Sequence, residues 1–172
     1  ADAFGVACIE EALELREAGI KKPILLLEGF FTADELPVIS ENNFWCALHS
    51  LEQIDVIAQS NLSQPINIWL KMDSGMHRLG IMPEDYRSAF EQLNALDQVN
   101  EIVLMSHFAS ADDFASSVTG QQIKCFDEAC QDLDAPVSIA NSAATLGHDA
   151  ARRAFQRLLI THTLWRINYK RS

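Results

Sequence analysis

The sequence predicts an α/β protein in which helices cover a parallel β-sheet. Short apolar runs alternate with helix-length amphipathic segments, giving about six strand–helix units before residue 147. Polar or charged clusters follow several of these strands instead of gathering at one switch point, which favours a barrel over a doubly wound open sheet. The order of elements by itself accommodates both architectures.

The predicted strands are short and apolar. The run from Pro23 to Leu27 shows no polar alternation, as expected for a strand whose two faces are both covered. The weakest run lies near Phe44–Leu48 and leads directly into a helical segment. The six predicted strands are Phe4–Cys8, Pro23–Leu27, Phe44–Leu48, Ile66–Met72, Glu101–Ser106 and Pro136–Ala140.

Helical segments follow these strands. Glu10–Ala18 places its apolar residues on one side and stops at Gly19. A later segment repeats the pattern, with Ile123 and Phe126 in its apolar stripe. The predicted helices are Glu10–Ala18, a short helix from Ala33, Leu51–Ser60, Tyr86–Leu96, Gly120–Leu133 and, in the C-terminal tail, Ala150–Ile160.

Composition excludes several classes of function. The chain has 172 residues, 48% of them hydrophobic, which is enough for one domain with a substantial core. A net charge of −11 argues against binding to nucleic-acid phosphates. No run approaches the ~18 apolar residues of a membrane span, and the acidic N-terminal residues do not resemble a signal peptide. We expect a cytoplasmic protein with neither membrane nor nucleic acid as a partner.

The cysteine and histidine spacings predict no metal site. The chain has four cysteines but no C-x-x-C pair, and its five histidines show no H-E-x-x-H spacing. Reduced, structural cysteines in a cytosolic protein fit this pattern best.

Charge is distributed unevenly along the chain. Residues 1–146 carry a balance of −16, whereas residues 147–172 carry +5. Such an abrupt change of sign is unusual inside one compact domain. We therefore predict that the native domain ends at residue 146 and that the basic tail is atypical, of non-native or frameshifted origin.

Three polar clusters stand at the ends of successive predicted strands. The carboxyl ends of parallel strands meet at one edge of the sheet, where α/β barrels carry their chemistry. The clusters are Lys71, Asp73, Gly75, His77 and Arg78; then Ser106 and His107, followed by Asp112 and Asp113; and finally Asn141 and Ser142.

Each cluster also has a purely structural interpretation. Lys71 could pair with Asp73 or another acid as a charged group at the mouth of the sheet. His107 could be a hydrogen-bonded histidine at a strand end. Asn141 and Ser142 could cap a helix, which is compatible with binding a phosphate at the same helix terminus.

Taken together, and in their order, these motifs resemble alanine racemase. The resemblance covers roughly residues 1–146 and is most specific in the stretch from Lys71 to Gly80. It is carried by A-D-A-F-G-V-A, E-E-A-L-E-L-R-E-A-G, P-I-L-L-L-E-G, W-L-K-M-D-S-G-M-H-R-L-G, M-S-H-F-A-S-A-D-D and S-I-A-N-S-A-A.

The resemblance implies binding of pyridoxal 5'-phosphate. Arg78 would donate to the phenolic oxygen of the cofactor, and His107 would lie beside its pyridine ring, bonded to an arginine that faces the ring nitrogen. Ser142, with Asn141 beside it, would bind the phosphate. Lys71 matches a supporting lysine, carbamylated in many members, that holds Arg78 in place, and it does not match the lysine that bears the cofactor.

Two catalytic bases of the family have no match in this sequence. The cofactor-bearing lysine of the K-A-N-A-Y-G-H-G strand is absent, so covalent attachment at the family position is not possible in this chain. The tyrosine that serves as the opposite base belongs to a C-terminal β domain, which is also missing. The R-P-G-I-x-L-Y-G strand, which carries the arginine at the ring nitrogen, finds no match either.

The fold implied by the resemblance is an incomplete parallel (β/α)8 TIM-type barrel that lacks the first and last strands. The implied function is the interconversion of L- and D-alanine for peptidoglycan synthesis by a homodimer, with this chain an inactive internal fragment because no catalytic residue is retained. A broad-specificity amino-acid racemase of the same fold, and a non-catalytic pyridoxal-phosphate carrier or interaction module, are the alternatives.

Overall fold

The computed structural model describes residues 1–159 and 164–169, which form one mixed β-sheet with helices outside it. The eight strands are β1 Ala3–Val6, β2 Ile24–Leu26, β3 Trp45–Leu48, β4 Ile66–Lys71, β5 Val99–Met105, β6 Val137–Ser138, β7 Phe155–Leu159 and β8 Trp165–Tyr169. The six helices are α1 Ile9–Glu17, α2 Glu35–Glu41, α3 Leu51–Ala58, α4 Pro83–Asn94, α5 Val118–Ala129 and α6 Ser142–Gly147.

The strands β1 to β6 pair in parallel and in sequence order, as the sequence predicts. Strand β8 then pairs antiparallel with β1, and β7 pairs antiparallel with β8. The backbone N–H of Arg157 in β7 donates to the carbonyl oxygen of Ala140, just after β6, over 3.1 Å. The eight strands therefore nearly close on themselves as an incomplete TIM-type barrel.

The predicted tail helix Ala150–Ile160 is wrong for the residues that the structure describes, and Ile160 lies outside them. A 3₁₀ turn covers Asp149–Ala151, and β7 follows from Phe155. The physical reason is strand pairing. Without β8, the backbone N–H and C=O groups at the edge of β1 would have no hydrogen-bond partner. Strand β8 pairs with this edge, and β7 in turn pairs with β8. The six predicted parallel strands are all present, and β7 and β8 are two further strands that pair antiparallel.

Two hydrophobic layers stabilise the barrel. The larger lies between the sheet and the helices, and the smaller fills the barrel interior. Inside the barrel, Trp69 stacks on Trp45 with ring centroids 5.6 Å apart and meets Phe155 at 5.1 Å. Because Phe155 belongs to β7, the C-terminal strands are part of the interior packing and do not lie loosely on the surface.

No helix among residues 1–159 and 164–169 has the length and apolar character needed to cross a lipid bilayer.

Candidate functional site

A cavity of about 340 Å³ opens at the carboxyl edge of the parallel strands. Its size lies in the range of small-molecule sites. Its walls come from the ends of β4 and β5, from loops after β1, β2 and β4, and from β7 and β8. It is lined by Ala7, Leu27, Glu28, Lys71, Arg78, Leu79, Met105, His107, Arg157 and Trp165.

Lys71 is the last residue of β4, and its side chain lies in the cavity wall with only 6% of its surface exposed. Burial, together with the nearby cations Arg157 and Arg78, lowers the pKa of its ammonium group to about 8, against the weaker opposing effect of Asp73 and Glu28. Among the described residues, its Nζ makes no hydrogen bond and no ion pair. An ion pair between Lys71 and Asp73 is therefore not observed.

Asp73 organises the turn that follows β4. Its Oδ1 accepts hydrogen bonds from the backbone N–H groups of Gly75, Met76 and His77, at 3.0, 3.0 and 2.9 Å. Burial of the carboxylate opposes ionisation, but these N–H groups and the nearby His77 ring together outweigh it and lower the pKa of Asp73. The carboxylate thus bonds its own turn, which carries Arg78 to the cavity.

Gly80 closes this turn against the strand. It has a φ of +148°, and a Cβ at this position would lie 2.3 Å from the backbone nitrogen of Asp73. Only a residue without a side chain fits there. The close approach is secured by backbone hydrogen bonds of Asp73 and Ile81 across the turn.

Arg78 stands at the rim of the cavity with an exposed side chain. Its guanidinium makes no hydrogen bond and no ion pair within residues 1–159 and 164–169. A planar fork of donors that is permanently charged and unpaired is suited to binding an anionic group of a ligand.

His107 follows β5 and lines the same cavity. Burial, together with the charges of Arg157, Lys71 and Arg78, lowers the pKa of its imidazole to about 3, so the ring is neutral near pH 7. Its ring nitrogens have no hydrogen-bond partner in the described part of the chain. The side-chain hydrogen bond expected of a structural histidine is therefore not observed at His107 within the described residues.

A polar network behind His107 holds the strand ends together. The hydroxyl of Ser106 donates to the carbonyl oxygen of Met72 over 3.0 Å and lies 2.7 Å from the hydroxyl of Ser74. The amide of Gln122, on α5, donates to the carbonyl oxygen of His107 over 3.2 Å. Sequence reasoning missed Gln122, because a glutamine in a helix gives no signal of such a role.

Arg157 is the principal residue that sequence reasoning missed. It lies on β7 inside the barrel with 1% of its surface exposed, and it lines the cavity. Its Nη2 donates to the carbonyl oxygens of Ser106 and Ile139. Burial lowers its pKa to about 10, so it remains charged at neutral pH. The sequence indicated this role only through a single cation among mostly apolar residues of β7. The helix predicted for this segment did not place that cation inside the barrel.

Asn141 and Ser142 follow β6 at the same edge of the sheet, but neither is among the residues that line the cavity. The Oδ1 of Asn141 accepts a hydrogen bond from the N–H of Ala144 over 3.0 Å, which makes Asn141 the N-cap of α6. Ser142 is the first residue of this short helix. The structure therefore brings Lys71, Arg78 and His107 together and places these two residues beside them, after the next strand.

The fold and the cavity define an α/β-barrel domain with a cavity lined by cationic side chains at its carboxyl edge. Residues 1–158 match the family described as the N-terminal domain of alanine racemase. The chain belongs to this family. The match extends into the basic segment that begins at residue 147, and the domain boundary at residue 146 stays a prediction.

Curated and solved relatives agree with this assignment. The chain is 56% identical to an alanine racemase of Pseudomonas entomophila and 55% identical to a catabolic alanine racemase of Pseudomonas putida, each over 147 residues. These matches cover 86% of this chain and 41% of each relative, so the chain spans less than half the length of those proteins.

Solved structures show the same fold. The biosynthetic alanine racemase from Pseudomonas aeruginosa superposes with a TM-score of 0.88 at 41% identity, covering 92% of this chain and 44% of that one. The alanine racemase from E. faecalis superposes with a TM-score of 0.81 at 28% identity, covering 91% and 44%.

Proposed function

We propose that this chain is the cofactor-binding part of a pyridoxal-phosphate-dependent racemase that interconverts L- and D-alanine for peptidoglycan synthesis in the cytoplasm. One observation carries the proposal: in a chain of the alanine racemase family, Lys71, Arg78, His107 and Arg157 line one cavity at the carboxyl edge of the barrel. Proteins of this family depend on pyridoxal phosphate.

The residues present fit this cofactor. Pyridoxal phosphate is a flat, anionic pyridine, and the cavity offers two guanidinium groups, a neutral imidazole and the indole of Trp165. Few anions oppose binding, since Glu28 is the only carboxylate among the lining residues of the described chain. When bound, the cofactor supplies an electron sink for the carbanion formed by proton removal at the substrate α-carbon.

The chain's own residues hold and orient the ligand. In this proposal Arg78 donates to the phenolic oxygen, and Ser142 with Asn141 donates to the phosphate at the next strand end. We further assign to Arg157 the position facing the ring nitrogen, beside His107, because its buried charge lies in the cavity wall. A permanent cation there keeps the ring nitrogen unprotonated.

Lys71 supports Arg78 in this proposal after carbamylation. Only the neutral amine adds carbon dioxide, and the lowered pKa of Lys71 makes that form abundant near pH 8. The resulting carbamate replaces a positive charge with a negative one between Arg78 and Arg157. The cluster of cations then acquires an anion in addition to Glu28, the carboxylate that lines the cavity.

We also propose that these 172 residues alone do not racemise alanine. Racemisation needs a proton donor or acceptor on each face of the planar carbanion. The residues that match the family include neither base, and His107, with a pKa of about 3, is too weak a base to replace one. Binding without turnover is the behaviour expected of this chain.

Cofactor binding is tested by equilibrium dialysis of the purified chain against pyridoxal phosphate. Arg78→Gln should weaken binding by about tenfold or more, the cost of one charge-assisted hydrogen bond. The matched control is Arg87→Gln, an exposed arginine of α4 outside the cavity, which should leave the affinity unchanged. Absence of saturable binding, or equal effects of both variants, would contradict the proposal.

The phosphate contact and the lack of turnover have separate readouts. Ser142→Ala should weaken binding of pyridoxal phosphate but leave binding of unphosphorylated pyridoxal unchanged. A D-amino-acid oxidase assay with L-alanine and pyridoxal phosphate should detect no D-alanine. Formation of D-alanine by the purified chain would show that a base has been overlooked.

A further inference from the structure

Lys71 has the surroundings of a nucleophilic lysine as well as those of a supporting one. Its side chain is 6% exposed, lies in the cavity wall and has no hydrogen-bond or ion-pair partner among the described residues. A lysine becomes nucleophilic at neutral pH when it is desolvated or placed beside another cation. Both conditions hold here, with Arg157 and Arg78 as the cations.

We propose that Lys71 is a reactive amine that forms an imine with small 2-oxo acids entering the cavity. The site takes a carbonyl compound that also carries a carboxylate. The carbonyl carbon meets Lys71, and the carboxylate meets the unpaired guanidinium of Arg78 at the rim, whose fork of donors matches a carboxylate. A neutral ketone lacks the second contact.

The reaction balances without any oxidant or further reagent. The lone pair of Nζ attacks the keto carbon, a C–N bond forms, and the carbonyl π electrons move to oxygen. The two protons of the amine leave with that oxygen as water, and the C=N bond replaces the C=O bond. Addition of water to the C=N bond reverses the same steps, so the imine is in equilibrium with the free 2-oxo acid.

The charged groups around Lys71 set the pH at which the amine reacts. Arg157 on β7 and Arg78 after β4 favour the neutral amine, while Asp73 in the same turn and Glu28 after β2 oppose them. Burial is the largest effect and acts with the arginines. With a pKa of about 8 in place of 10.5, a far larger fraction of Lys71 than of an ordinary lysine is neutral at pH 7.5.

The experiment is reductive trapping in carbon-dioxide-free buffer at pH 7.5. The chain is incubated with pyruvate and sodium cyanoborohydride, which reduces imines but not ketones, and a peptide map locates the carboxyethyl adduct. We expect at least about tenfold more adduct at Lys71 than at Lys124, an exposed lysine paired with Glu128. An adduct spread over the exposed lysines in proportion to their exposure would overturn the proposal.

Variants separate the amine from its surroundings. Lys71→Arg keeps the charge and should abolish the adduct in that peptide, whereas the matched Lys124→Arg should leave it unchanged. Arg78→Gln should lower trapping of pyruvate more than trapping of acetone, because it removes the carboxylate contact in addition to raising the pKa of Lys71. Equal loss with both ketones would remove the carboxylate contact from the proposal. Even where a variant fails to fold, the peptide map of the unaltered chain shows whether Lys71 is the lysine that reacts.

This reaction requires no pyridoxal phosphate, so its outcome is independent of the proposed function. Trapping of pyruvate at Lys71 without binding of pyridoxal phosphate would support the reactive amine and contradict the cofactor site. Binding of pyridoxal phosphate with no pyruvate adduct at Lys71 would support the cofactor site and contradict the reactive amine.

Discussion

The imidazole of His107 meets the indole of Trp165 edge-on, with ring centroids 6.3 Å apart and ring planes at 77°. His107 follows the parallel strand β5, whereas Trp165 begins the antiparallel strand β8. Both residues line the cavity. The C-terminal strands therefore contribute to the candidate site as well as to closing the barrel, and predictions about the site must include them.

Arg157 should control the pKa of Lys71. Its charge is the largest electrostatic contribution after burial to the low pKa of that lysine. Arg157→Met removes the charge while keeping most of the volume, so the pKa of Lys71 should rise toward 10.5, and trapping of pyruvate at pH 7.5 should fall several-fold. The rate of trapping as a function of pH measures this shift.

The control for that experiment is Arg152→Met. Arg152 pairs with the exposed Asp149 outside the cavity, so its removal should leave the pH profile of Lys71 unchanged. Identical profiles for the unaltered chain and Arg157→Met would show that Arg157 does not lower the pKa of Lys71.

Lys71 should carry a carbamate when bicarbonate is present. The chain equilibrated with ¹³C-bicarbonate at pH 8 should give a carbamate carbon signal that is absent from Lys71→Arg and retained in Lys124→Arg. The signal should decline as the pH falls below about 8, since the protonated amine cannot add carbon dioxide. A signal that survives in Lys71→Arg would place the carbamate elsewhere.

Asp73 should make stability depend on pH in the acid range. Its folded-state pKa lies below the unfolded value of 3.8, so its contribution is complete above pH 3.8 and is lost as the pH falls through the folded value. Asp73→Asn should lower the free energy of unfolding by about 2 kcal/mol at pH 7, because the remaining hydrogen bonds are no longer charge-assisted.

Urea unfolding of the two proteins from pH 7 downward checks this prediction. The difference between them should shrink below pH 3.8, where the carboxyl of the unaltered protein becomes protonated. The exposed Asp97→Asn is the control and should have little effect at any pH. A difference that stays constant down to the lowest pH would contradict the role of the ionised carboxylate.

Gly80→Ala should be far more damaging than Gly19→Ala, although both glycines have positive φ. A Cβ on Gly80 would lie 2.3 Å from the backbone nitrogen of Asp73, whereas a Cβ on Gly19 meets nothing within 4 Å. Gly19→Ala should cost about 1 kcal/mol, the price of the left-handed conformation alone. Gly80→Ala should cost at least about 3 kcal/mol, because the backbone itself must move.

Thermal unfolding compares the two glycine variants directly. A folded Gly80→Ala protein should also bind pyridoxal phosphate more weakly, since the turn that presents Arg78 is displaced. Similar melting temperatures for both variants would contradict the packing of Gly80 against the strand.

Asn141→Ala should destabilise α6 and, through it, the chain by about 1 kcal/mol, the usual loss for an N-cap. Asn141→Ser should restore most of this loss, because a hydroxyl oxygen can accept the same bond from the N–H of Ala144. Equal unfolding free energies for the Ala and Ser variants would show that the cap contributes little.

The sequence predicted the parallel part of the fold well. Apolar runs such as Pro23–Leu27 form strands that are buried on both faces, and this property is legible without any tertiary information. The polar ends of β4 and β5 likewise predicted that Lys71, Arg78 and His107 would lie together, because neighbouring parallel strands end at the same edge. Local pattern and sheet topology suffice for these conclusions.

Strand pairing determined the part of the fold that the sequence did not predict. The segment around Phe155–Leu159 has a pattern that suits a helix, and it forms a strand because the open edge of the sheet offers unpaired backbone groups. That choice places Arg157 inside the barrel beside His107 and Lys71, where it changes the pKa of both. Electrostatic effects of this kind depend on distance in space, and no spacing along the chain encodes them.

The sequence by itself thus determined the family and the six parallel strands. It also determined that Lys71, Arg78 and His107, at or just after strand ends, lie together. Only the tertiary structure decided how the sheet closes, which cation is buried in it, and that Asn141 and Ser142 are not among the residues that line the cavity. The physical reason is that periodicity and strand ends are local properties, whereas edge pairing, burial and charge proximity arise only when distant segments meet.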